Sequence, residues 1–240
     1  MPSPRKQAQS KNGDGEIGET FEPPCVSQLH VIPGFDRLSH RKIYPKGSLL
    51  FEEGRQARGV YVICSGRAKV SFTSAEGKKL IVRIGRPGNL LGIHSALTGQ
   101  AYEATAETLA PCHVDFISRK DLLELLDRQK LFGLGLAVAI SKEFTEFVEH
   151  ARVLLLPVSA AARLAGLLLS LADKFGEAKT SGICLQTLLT HEEIAQMIGA
   201  SRETVTRTLN VFKQKHVIRV TNGDLLIRNR AALAALAQGT

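Results

Sequence analysis

Residues Thr190 to Arg207 read T-H-E-E-I-A-Q-M-I-G-A-S-R-E-T-V-T-R, a run that fits two short helices folded about a tight turn. Thr190 stands three positions before Glu193, the reciprocal spacing that satisfies orphan N–H groups at a helix start, so the first helix begins near His191. Ile194, Ala195 and Ile198 supply an apolar stripe, and Gly199 follows where a chain leaving a helix needs positive φ. Ser201 offers a second cap, and Val205, Leu209 and Phe212 recur as the buried side of a second helix.

The other side of that second helix is polar. Arg202, Glu203, Thr206 and Arg207 fall on its N-terminal turns, the part of a recognition helix that reaches base edges in the major groove. Arginine forks onto guanine O6 and N7, and glutamate accepts from the cytosine amino group, so a half-site with a G·C core is expected. Two strands should follow, Val217 to Thr221 and Asp224 to Arg228, joined by Asn222-Gly223, which suits a two-residue hairpin turn. That makes a winged helix-turn-helix, with Ser201, Thr204, Lys213, Lys215 and Arg219 as expected contacts to the DNA backbone.

Charge agrees with a polyanionic partner. The 240 residues carry 31 Lys and Arg against 23 Asp and Glu, a net +8. Between Arg202 and Arg219 there are five basic residues and one acidic, so the excess gathers on the expected reading helix and wing. The longest apolar runs, Val153 to Val158 and Leu164 to Leu169, fall far short of the ~20 residues that cross a bilayer, and no signal-peptide core follows the start. A cytoplasmic protein without membrane contact is expected. No nucleophile elbow, phosphate-binding Walker loop or metal-spaced His/Glu set occurs, so neither an enzyme nor a metal site is expected.

Upstream, residues 1–24 are polar and poor in large apolar side chains and read as a flexible tail. Short β-rich runs follow at close spacing, Ser48 to Phe51, Val60 to Cys64, Lys69 to Phe72, Leu80 to Ile84 and Cys112 to Ile117, and predict a β-roll over 25–130 ending in a short helix from Ser118. From Leu131 to Leu156, the residues Leu136, Ile140, Phe144, Phe147, Ala151 and Leu154 step by three or four. Such a helix can pack on the roll or pair with a second copy. Its place before a helix-turn-helix favours a dimerisation helix over 131–157, because one reading helix alone reads too few base pairs. Pro157 should end it at a hinge, and Ser159 should cap an apolar helix up to about residue 175. The winged domain is expected over 158–231 and a tail over 232–240. The fold class is α+β.

The segment E-E-I-A-Q-M-I-G followed by S-R-E-T-V-T-R resembles the DNA-binding segment of the CRP/FNR superfamily of bacterial transcription regulators. Gly47-Ser-Leu-Leu-Phe-Glu-Glu-Gly54, Val60 to Val70 and Gly88-Asn-Leu-Leu-Gly92 resemble that family's effector domain, so the likeness runs over roughly 30–231. It implies a cyclic-nucleotide-binding-like roll, a homodimer on palindromic double-stranded DNA, allosteric control from the roll, and RNA polymerase as a partner if the protein activates. The alternative is an adaptor of the same roll type that regulates a protein partner without touching DNA, for which base-matched Arg202, Glu203 and Arg207 have no use.

The effector is the open point. Relatives that bind a cyclic nucleotide carry a Gly-Glu pair for the ribose and an Arg-Ser or Arg-Thr pair for the phosphate. Here Ile93 follows Gly92, and the phosphate arm, Gln100 to Ala106, contains no Arg, which argues against a buried cyclic phosphate. Ala106 to Cys112 and Gly92 to Gly99 resemble the oxygen-sensing branch, whose iron–sulfur cluster takes four thiolates, but the tail offers only Cys25. A Cys25–Cys112 thiol switch and a haem on His30, His94 or His113 are further candidates, as is a small metabolite. Cys64 and Cys184 read as structural.

Overall fold

The computed structural model describes residues 35–156, 159–186, 189–221 and 224–239. Eight strands build the N-terminal roll: β1 (His40–Tyr44), β2 (Leu49–Phe51), β3 (Gly59–Ser65), β4 (Ala68–Thr73), β5 (Lys79–Gly85), β6 (Leu90–Leu91), β7 (Thr105–Thr108) and β8 (Cys112–Ser118). They form two antiparallel sheets, ordered β1-β8-β3-β6 and β2-β7-β4-β5. Side chains on a strand alternate between faces, and β3 shows the consequence. Ile63 points into the roll with Phe51, Val70, Leu91 and Val114, while Val60 and Val62 pack outward against helices. A strand buried on both faces reads as a continuous apolar run, as V-Y-V-I does.

The outward face is covered by α1 (Phe35–Leu38), α2 (Ile93–Thr98), α3 (Arg119–Arg128) and the start of α4 (Lys130–Leu155). Phe132 and Leu136 of α4 are buried there with Leu122, Leu125 and Ile117. Ser118 caps α3 by accepting from the Asp121 N–H. Farther along, Arg83 of β5 pairs with Glu143 at 2.8 Å and Arg86 with Glu146 at 3.0 Å, fixing the long helix to the second sheet.

The C-terminal unit contains α5 (Ala160–Phe175), β9 (Glu177–Lys179), β10 (Gly182–Gln186), α6 (His191–Ile198), α7 (Arg202–Gln214), β11 (Ile218–Thr221), β12 (Asp224–Ile227) and α8 (Arg230–Ala237). Ser159 caps α5 as expected, accepting from the Ala162 N–H. Pro157 and the Asn222-Gly223 turn lie outside the described residues, but Thr221 faces Asp224 across the ladder, the register of a two-residue connection.

One domain boundary is corrected. Residues 232–240 are not simply a tail: α8 starts at Arg230 on an Asn229 cap, and Leu233 is completely buried in the domain core beside α5 residues. An alanine-rich segment shows little amphipathic contrast, which hid the helix. The two strands expected for the wing do form, as β11 and β12. They extend a four-stranded sheet, β11-β12-β10-β9, whose three-residue edge strand β9 is too short and polar to announce itself. The expected span 1–24 lies outside the described residues.

Candidate nucleic-acid interface

The helix pair forms for the reasons the sequence suggests. The Thr190 hydroxyl accepts from the Glu193 N–H, and the Glu193 carboxylate accepts from the Thr190 N–H at 2.8 Å, completing the reciprocal cap. Gly199 ends α6 with φ 59°, a left-handed conformation that glycine adopts without a Cβ penalty. Ser201 caps α7 by accepting from the Thr204 N–H. Ile194, Ala195, Ile198, Val205, Leu209 and Phe212 are all buried in one core with Leu164, Leu168 and Ile227.

With that face buried, the polar face of α7 is turned outward. Arg202, Glu203, Thr206 and Arg207 line a groove of about 580 Å³, joined by Asn210, Val211 and Gln214. Asn210 and Gln214 continue the same helical row beyond Glu203 and Arg207, and that spacing would have singled them out. Hydrogen bonds from its own main-chain N–H and from Ser201 hold the Glu203 carboxyl below the usual carboxylate range, so it is an acceptor at neutral pH. Arg202 and Arg207 are exposed. Ser201 and Thr204 are tied into the cap, with their hydroxyls 3.1 Å apart. Lys213 is half-buried near the end of α7, Lys215 is exposed at its C-cap, and Arg219 is exposed on β11. His191 of α6 bonds Thr206 across the turn, a contact with no mark in the sequence.

The winged unit is docked on the roll. Ile81, Ile84 and Leu109 of the roll share one apolar cluster with the C-terminal core. Lys69 of β4 bonds Glu193 at 2.8 Å and Glu107 at 3.2 Å, so the residue that caps α6 is also held by the sensory domain. Arg67 lies over the Phe175 ring at 4.6 Å. His150 of α4 sits at the same junction, against the main chain of Ile81 and Met197, with Nε2 buried and unpaired among the described residues. Burial and the nearby Lys174 ammonium hold its pKa below the ordinary histidine value.

Of the expected dimer seam, Ile140, Phe144 and Phe147 are 36, 67 and 46 % exposed, an open apolar ridge on α4. Leu136 is not part of that ridge. It is only 3 % exposed because it fills the roll's helical face. Ala151 and Leu154 are half-buried, and Leu154 lies beside Gly199 of the winged unit.

The two free thiols among the described residues do not converge. Cys64 is disulfide-bonded, and Cys112 and Cys184 are free and buried in different sheets, in β8 and β10. Burial pushes the Cys112 thiol up, opposite to what a redox-reactive thiolate needs, and the expected Cys25 partner lies outside the described residues. No group of three His, Cys, Asp or Glu among the described residues is placed to hold a metal. Around the roll's Gly92, Tyr102 stacks on Phe51 at 4.2 Å and its hydroxyl donates to the Gly59 carbonyl. A Cβ at Gly92 would fall 2.6 Å from that ring, so Tyr102 lies directly against this glycine.

Residues 41–129 match the cyclic nucleotide-binding domain family, and residues 162–236 match the Crp-like helix-turn-helix domain, a span that takes in most of α8. The cAMP-activated global transcriptional regulator CRP of Pasteurella multocida is 30% identical over 79% of this chain and 91% of its own. The cyclic AMP receptor protein of Thermus thermophilus is 28% identical over 83% of this chain and 88% of its own. Among solved structures, FixK2 from Bradyrhizobium japonicum superposes with a TM-score of 0.72 at 21% identity, covering 82% of this chain and 96% of that one, which shows the shared fold. These relatives are transcription regulators, and the chain belongs to their CRP/FNR family of DNA-binding, non-enzymatic regulators.

Proposed function

We propose that two copies of this chain pair through α4 and bind an inverted-repeat operator, with base readout by Arg202, Glu203, Thr206 and Arg207 and backbone contacts from Ser201, Thr204, Lys213, Lys215 and Arg219. The carrying observation is the open polar face of α7, capped and backed by a buried apolar face. Ile140, Phe144 and Phe147 supply an apolar surface for a symmetric partner, and a two-fold places two reading helices about 34 Å apart in successive major grooves. The protein works where DNA is, in the cytoplasm, and as an activator it would also meet RNA polymerase. No helix among the described residues is long and apolar enough to cross a membrane. Selection from a random duplex library should return inverted repeats with a G·C pair in each half-site. Recovery of no repeat would overturn the reading.

The roll is the sensor, and its signal is not cyclic AMP. Ile93 supplies no carboxylate for a ribose, the arm Gln100 to Ala106 supplies no arginine, and the Tyr102 ring occupies the space against Gly92. Calorimetry with cyclic AMP and cyclic GMP should register no binding at micromolar ligand, whereas a micromolar dissociation constant for either would refute this assignment. The free Cys112 and Cys184 lie in different sheets and do not together ligate an iron–sulfur cluster.

A further inference from the structure

Thr206 stands in the reading groove, yet its hydroxyl is already engaged. The Oγ1 hydrogen is donated to the carbonyl of Arg202 at 3.0 Å, one turn back along α7. His191 Nδ1 lies 2.9 Å from the same oxygen. A hydroxyl has one proton to give, so with that proton on Arg202 the imidazole must be the donor, and His191 carries hydrogen on Nδ1. Both bonds pull Oγ1 toward the helix and toward α6. With Oγ1 so engaged, the methyl is the branch of Thr206 left free for the groove it lines.

We propose that His191 is a positioning residue for base selection. Through its bond to Oγ1 it locks Thr206 so that the methyl meets the DNA, and each half-site contains a thymine whose 5-methyl packs against it. Thymine is the only base that presents a methyl in the major groove, and a threonine methyl is one of the apolar groups that read it. The histidine comes from the first residue of α6, so the selectivity belongs to the helix pair and not to the reading helix alone.

The inference rests on base readout by α7, and the test separates the two. An operator is first selected by the full-length chain, and each thymine in its half-site is then replaced by deoxyuridine, which removes only the 5-methyl. For the natural protein, one position per half-site should lose roughly fourfold in affinity, the worth of one buried methyl. Thr206→Ser keeps the hydroxyl and lacks the methyl, and should bind thymine and uracil operators equally. His191→Ala should do the same by freeing the Thr206 rotamer, while preference for the G·C pair stays. His191→Asn, with an amide nitrogen near the Nδ1 position, should restore discrimination. If no thymine is sensitive, or if His191→Ala leaves the thymine-to-uracil ratio unchanged, the inference is overturned. Should Arg202→Ala, Glu203→Ala and Arg207→Ala all keep the G·C preference, the readout by α7 itself fails instead.

Discussion

Arg207 and Lys213 share one helix and one charge, yet their surroundings differ, and the proposed readout gives them different tasks. Arg207 is exposed in the groove with Glu203 and Thr206, whereas Lys213 is half-buried in the last turn and outside the groove lining. Replacing Arg207 by Ala should cost about 1–3 kcal/mol on the cognate operator and relax preference at one G·C pair. Lys213→Ala should weaken all duplexes alike and lower the salt slope by about 1. Titrations on cognate and scrambled DNA at several salt concentrations separate the two, and equal losses on both duplexes for both variants would contradict the division. These residues were legible in the sequence because a reading face is a periodic pattern. The state of the Thr206 hydroxyl was not, since it depends on His191, fifteen residues away on another helix.

At the scale of elements, α4 serves two surfaces. Its first turns bury Phe132 and Leu136 on the roll, its flank carries Glu143 and Glu146 to Arg83 and Arg86, and its ridge of Ile140, Phe144 and Phe147 stays open. A charge on that ridge would have to be desolvated against a partner helix at a cost of several kcal/mol. Phe144→Glu should therefore give monomers in sedimentation with an unchanged helical spectrum, and a dimer that persists would exclude α4 as the interface. Periodicity alone placed Leu136 with the others, because a stepping pattern of three or four cannot tell which neighbour each apolar residue meets. The same weakness hid α8, where alanines mark no face.

For the whole molecule, the junction of roll, long helix and winged unit is where a signal would pass. His150 lies there, with Lys174 of α5 and its partner Glu149 on one side, the Lys69–Glu193 pair joining β4 to α6, and Glu143 with Arg83 farther along α4. Its docked pKa lies below the ordinary 6.5, so neutral His150 supports docking fully above that pH, and the support is lost as pH falls through the depressed value. Protection factors of the α6 amides, taken relative to the intrinsic exchange rate at each pH, should accordingly fall on acidification below about pH 6.5, and His150→Gln should remove that acid-dependent component; an unchanged profile in the variant would rule the residue out. The sequence by itself determined the helix pair, its caps, the polar face of α7, the β-roll and the long helix, because each is written in local spacing and turn chemistry. Which apolar residues of α4 face inward, how the winged sheet gains β9 and β10, and how Lys69 comes to hold Glu193 were decided only in the tertiary structure. Those contacts join residues far apart in the chain, and their free energy comes from desolvation and packing that no single segment contains.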